Sequence, residues 1–144
     1  MTKTFSRIRQ RVMPILLVGT VFASVAGCTK KEDNNDAAKF GGTWKMTANC
    51  TGSSPSSGDL IFTATDNKTV TTSYSVGSGS CAKAKVLTGT ANGNTVTFNT
   101  TTITDGCGGS YSVSATGTIS GGTFTFSLSV NGAANGVCTF VGTK

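Results

Sequence analysis

The chemistry open to this chain is narrow. Its 144 residues contain no histidine, so the side chain best suited to move protons near neutral pH is missing. The acids in the strand-rich part are Asp59, Asp66 and Asp105. Asp66 starts an Asp66-Asn67 turn and Asp105 sits in a glycine-rich loop, places where an aspartate usually folds back onto nearby backbone N–H groups. Serine and threonine hydroxyls abound, but without an adjacent base they are weak nucleophiles. Gly77-Ser78-Gly79 and Gly106-Cys107-Gly108-Gly109 are not followed by Gly-Lys-Ser/Thr, so neither reads as a phosphate cradle. No Cys-x-x-Cys spacing accompanies the five cysteines, which argues against zinc. The sequence thus predicts no catalytic residue, no metal and no cofactor, and points to binding or interaction rather than to an enzyme.

The first cysteine has a different character. Lys3, Arg7, Arg9 and Arg11 precede an apolar run from Val12 to Ala26, and the run closes in Val25-Ala26-Gly27-Cys28. A basic head followed by an apolar stretch and small residues is the layout of a secretory signal. The run is shorter than the roughly 20 residues that span a bilayer, and it carries Pro14 and Gly19. Val25-Ala26-Gly27-Cys28 resembles the lipobox of bacterial lipoproteins. That resemblance implies removal of residues 1–27, attachment of diacylglycerol and palmitate at Cys28, and a lipid-anchored protein of the bacterial outer membrane. Lys30-Lys31 followed by Glu32-Asp33 resembles the surface-export signal of some Gram-negative lipoproteins, which implies the cell surface. Residues 28–39 then read as a solvated tether, able to hold a domain about 35–40 Å from its anchor when extended.

Charge weakens one class of partner. The formal charge is +6, but four basic residues precede the apolar run, and beyond it eight lysines face six acids. A balance near +2, with scattered lysines and no arginine, argues against nucleic acid.

The elements that must position any site are strands. From Phe40 on, single apolar residues alternate with Thr, Ser, Gly and Asn, the period of a half-buried strand. Eight strands are predicted: 43–50, 59–65, 69–76, 82–91, 95–103, 110–120, 123–130 and 137–143. Trp44, Met46, Ala48 and Cys50 share one face, as do Leu60 with Phe62, Val96 with Phe98, and Phe124, Phe126, Leu128 and Val130. Thr88–Phe98 is echoed by Thr116–Phe126, each copy a hairpin turning at Asn92-Gly93 or Gly121-Gly122. Such a series predicts an eight-stranded antiparallel up-and-down barrel over residues 40–144; an immunoglobulin-like β-sandwich is the alternative. Tight turns then gather at one end, and the looser connections 51–58, 77–80, 104–109 and 131–136 at the other.

With Cys28 assigned to lipid, an even set of four cysteines in an exported chain favours two disulfides. In the up-and-down order all four fall at the loop end, and barrel closure brings strand eight beside strand one. This predicts Cys50–Cys138 and Cys81–Cys107, with roughly 4–5 and roughly 3 kcal/mol from loop closure.

At Phe40-Gly41-Gly42-Thr43-Trp44-Lys45-Met46 the chain resembles the start of lipocalin-like barrels, whose first strand carries Gly-x-Trp near the closed end. With the lipobox, it is similar to small lipocalin-like lipoproteins of Gram-negative bacteria. Lipocalins stack an arginine from a late strand on that tryptophan, and none exists here beyond the signal; there is also no room for their C-terminal helix. The barrel is expected to bind a small apolar ligand, with Trp44, Tyr74, Phe98, Tyr111, Phe124 and Phe126 as candidate pocket residues. The alternative expectation is a surface module, adhesive or inhibitory, that engages a protein partner through its loop end.

Overall fold

A computed structural model of the protein describes residues 34–144. The expected signal segment 1–27, the expected lipid site Cys28 and the start of the tether lie outside the described residues. Eight antiparallel strands run in order around a closed up-and-down barrel: β1 (Gly42–Cys50), β2 (Ser56–Ala64), β3 (Thr69–Val76), β4 (Lys83–Asn92), β5 (Thr95–Thr104), β6 (Ser110–Ser120), β7 (Thr123–Gly132) and β8 (Gly136–Thr143). β8 returns to β1, pairing Lys45 with Thr143 and Cys50 with Cys138. The sandwich alternative is therefore excluded. Most predicted strand ends lie within two residues of the observed ones; β2 starts three earlier, at Ser56.

Alternation builds the core. Trp44, Met46, Phe62, Val70, Leu87, Val96, Phe98, Val113, Phe124, Phe126 and Leu128 point inward and are buried, while Thr and Ser cover most of the outer face, where β-branched and small polar side chains suit a wet sheet. Two inward glycines make room for rings. A Cβ on Gly117 would lie 2.5 Å from the Phe124 ring, and one on Gly89 would lie 2.9 Å from that of Phe98. On β5 a bulge shifts the register between Phe98 and Thr101. Strict alternation from Phe98 would turn Ile103 outward; the extra residue returns it to the core, where it is buried.

The hairpin end is plugged. Residues 28–39 read as tether from their polar composition, but the last of them are folded: Asp36 and Ala37 are buried, and Ala37–Lys39 form a 3₁₀ turn. Ala37 N–H donates to Asn67 O of the β2–β3 turn at 3.1 Å. Lys39 Nζ donates to Asp36 Oδ1 and to Gly93 O of the β4–β5 turn, at 3.0 and 3.2 Å. The plug is held to the hairpins through Ala37 N–H, the Lys39 ammonium and the Asp36 carboxylate, which pair with the turns at Asn67 and Gly93. Phe40 behind it is fully buried and meets Phe124 edge-on at 5.5 Å, and its carbonyl accepts the Trp44 Nε1 proton at 2.8 Å. Lys144 lies over Trp44, its Nζ 4.7 Å from the ring centroid, and donates to Lys39 O.

The loop end is built differently. β3 and β4 pair along their length, from Thr69–Thr90 to Val76–Lys83. On either side of this ribbon the ladders stop short: β2 meets β3 only over Phe62–Ala64, and β4 meets β5 only over Gly89–Asn92. Two seams thus open toward the loops. Ile61 and Val86, the most exposed large apolar residues among those described, lie on these seam-flanking strands.

Candidate functional site

A cleft of about 390 Å³ occupies the mouth of the barrel at the loop end. One wall is the β3 end of the ribbon, with Tyr74, Ser75, Val76 and the following Gly77-Ser78. The other comes from β1, β6, β7 and β8, with Cys50, Tyr111, Val130, Val137 and Cys138, and Asn135 from the β7–β8 turn completes the rim.

The candidate pocket residues separate into two groups. Trp44, Phe98, Phe124 and Phe126 are buried within the closed half. They pack with Phe62 as a continuous ring cluster: Trp44 to Phe124 at 4.9 Å, Phe62 to Phe124 at 5.0 Å and Phe98 to Phe126 at 5.6 Å. Edge-on and tilted contacts of this kind fill space efficiently, so these four are barrel filling and do not line the mouth cleft. Tyr74 and Tyr111 do line it. Alternation assigns a residue to the inside but not to a height along the axis, which is why six inward aromatics looked equivalent. The cleft residues absent from the sequence expectation, Val76, Val130, Asn135 and Val137, carried no signal beyond strand phase and proximity to a predicted loop.

Both expected disulfides are formed. Cys50 and Cys138 face each other across the β1–β8 ladder, and Cys81–Cys107 ties the tip of the β3–β4 ribbon to the β5–β6 loop. Gly106 N–H strengthens the second tie by donating to Cys81 O at 2.8 Å.

Electrostatically the cleft is plain apart from Tyr111. Asp105 Oδ1 accepts from the N–H groups of Gly109 at 2.7 Å and Cys107 at 2.9 Å, and Oδ2 accepts the Tyr111 hydroxyl proton at 2.9 Å. These donors, the Gly109 N–H foremost, hold the Asp105 carboxyl below the usual carboxylate range. The same bond raises the Tyr111 pKa, with burial adding to it. Burial alone pushes the Tyr74 hydroxyl up. Asn135 Oδ1 accepts from Gly132 N–H at 3.0 Å. Asp36 and Asp66 are likewise committed, to Gly93 N–H and Lys39 in one case and to the backbone of Lys68 and Thr69 in the other, and both carboxyls are lowered. Among the described residues, no three of His, Cys, Asp and Glu gather as a metal would require.

These features define a small β-barrel with a plugged end and a disulfide-braced mouth. Solved structures share that fold. A redesigned β-barrel, mFAP1, bound to DFHBI is 14% identical with a TM-score of 0.53, over 76% of this chain and 99% of that one. EF1p2_mFAP2b bound to DFHBI is 15% identical with a TM-score of 0.50, over 77% and 99%. A candidate outer membrane protein from Bacteroides fragilis NCTC 9343 is 12% identical with a TM-score of 0.50, over 77% of this chain and 53% of that one. No protein-family model matches the chain, and no curated protein is significantly similar to it. At these identities the likeness is one of fold.

Proposed function

We propose that this chain is a lipid-anchored bacterial lipoprotein whose barrel binds a small, largely apolar ligand at its loop-end mouth, without catalysing a reaction on it. The observation that carries the reading is the 390 Å³ cleft, within the size range of ligand pockets, framed by several strands at the end opposite the plug. The redesigned barrels of similar fold were solved with DFHBI bound, which illustrates what such an architecture can hold. Supporting a non-catalytic role, three of the four acids among the described residues, Asp36, Asp66 and Asp105, serve the backbone, and Asp59 lies outside the mouth cleft. The plug, the buried Trp44 and the cation over it are similar to the closed end of lipocalins. Anchoring at Cys28 follows from the lipobox resemblance.

Native and then denaturing mass spectrometry of the protein purified from an oxidising compartment tests binding. Extra mass released on denaturation is the expected result and identifies the cargo. A bare mass in both states favours the second reading, an interaction module, which rests on the gathering of four loops and two disulfides at one end. Metabolic labelling with radioactive palmitate, retained by the wild type and lost in Cys28→Ala, tests the anchor.

A further inference from the structure

The mouth has a specific hydrogen-bonding character. Among the described residues, no lysine, arginine or carboxylate lines the cleft. Asp105 stands behind it, its Oδ2 accepting the Tyr111 hydroxyl hydrogen bond. Lys85 of β4 is drawn to the β4–β5 side, donating to Thr102 O at 2.9 Å. With its proton committed, the Tyr111 oxygen can only accept. The Asn135 carbonyl is occupied by Gly132 N–H, so its amide is left to donate. Tyr74 brings a second ring face, and Val76, Val130 and Val137 provide apolar walls.

We infer that the mouth selects an uncharged, hydroxyl-bearing aromatic molecule of the phenol class, whose ring packs among Tyr74 and the valines and whose hydroxyl donates to Tyr111 Oη. An anion is disfavoured on two grounds. Tyr111, its hydrogen bond already donated to Asp105, gives it no donor at that position, and it would lose its water shell close to that carboxylate, a loss that the neutral-amide and hydroxyl donors of Asn135, Ser75 and Ser78 on the rim do not offset with any positive charge. This inference rests on the binding reading above and specifies its ligand.

The test is calorimetric titration, with NMR shift mapping, of the disulfide-intact protein at pH 7 with 2-naphthol, naphthalene, 2-naphthoate and laurate. The expected result is that 2-naphthol shifts Tyr74, Tyr111 and Asn135 signals and binds at least about tenfold more tightly than 2-naphthoate, the scale of an unsatisfied buried polar group. Tyr111→Phe should weaken 2-naphthol by about three- to tenfold, the scale of one hydrogen bond, and leave naphthalene within about twofold. Asp105→Asn should narrow the gap between 2-naphthol and 2-naphthoate. Equal or tighter binding of 2-naphthoate or laurate overturns the ligand class while leaving the binding reading intact. Equal losses of 2-naphthol and naphthalene in Tyr111→Phe overturn the role of Tyr111. No mouth shifts with any probe overturn this inference and the binding reading together.

Discussion

Asp105 shows how much one carboxylate can organise when backbone donors converge on it. Its lowered pKa fixes the sign of a pH effect. A group whose folded pKa lies below its unfolded value of about 3.9 contributes stability that is present above that value and lost as pH falls through the folded one. Asp36 and Asp66 shift in the same direction, so thermal stability should hold near neutrality and fall below about pH 4. Asp105→Asn should lower the melting temperature at pH 7 and shrink the difference between pH 7 and pH 3; scanning calorimetry across that range measures both. The tyrosines act with the opposite sense, since their raised pKa values favour the protonated form and that contribution is lost only as pH rises past about 10. At the other end, Lys144→Ala should cost about 0.5–1 kcal/mol, the scale of an exposed cation–π contact, and alter Trp44 fluorescence.

The strands themselves were legible in the sequence because Thr-x-Thr alternation around single apolar residues has no competing helical period, and Asn-Gly, Gly-Gly and Asp-Asn mark the tight turns. Three features were not. The plug from Asp36 to Lys39 has the composition of a tether, and tertiary partners at Asn67, Gly93 and Lys144 order it. The β5 bulge lies between Phe98 and Thr101, in a polar run where the odd spacing from Phe98 to Ile103 does not say which residue is the extra one. The seams beside β3 and β4 depend on strand separation, which alternation does not encode. Gly117 gives the element-scale prediction. Placing a valine against the Phe124 ring should destabilise by about 1–3 kcal/mol, read from urea unfolding, whereas Gly93, at an open turn with φ +59°, should respond to substitution through backbone conformation rather than packing. Seam strands should also exchange amide hydrogens sooner than their paired neighbours: Ser56–Ile61 and Ala84–Thr88 ahead of the β6–β7 ladder, and further ahead in Cys81→Ser/Cys107→Ser.

For the whole molecule, the disulfide pairing was deducible because an up-and-down order leaves β1 and β8 as the strands that must meet. The candidate site was less so, since its residues are scattered over β1, β3, β6, β7 and β8 and become neighbours only when the sheet curls shut. Cys50–Cys138 spans 88 residues; its removal in Cys50→Ala/Cys138→Ala should cost roughly 4–5 kcal/mol by loop entropy, visible as a lower urea midpoint. That bond has a topological consequence. In an ordinary barrel the junction of first and last strands is the one lateral join with no covalent support, and so the natural place to unzip. Here the crosslink turns the chain from Cys50 to Cys138 into a macrocycle, and the barrel cannot be laid flat while the bond persists. Opening is then expected at the two gaps flanking β3 and β4 rather than at the β1–β8 junction, which makes them the side doors of a ring that has no clasp to undo.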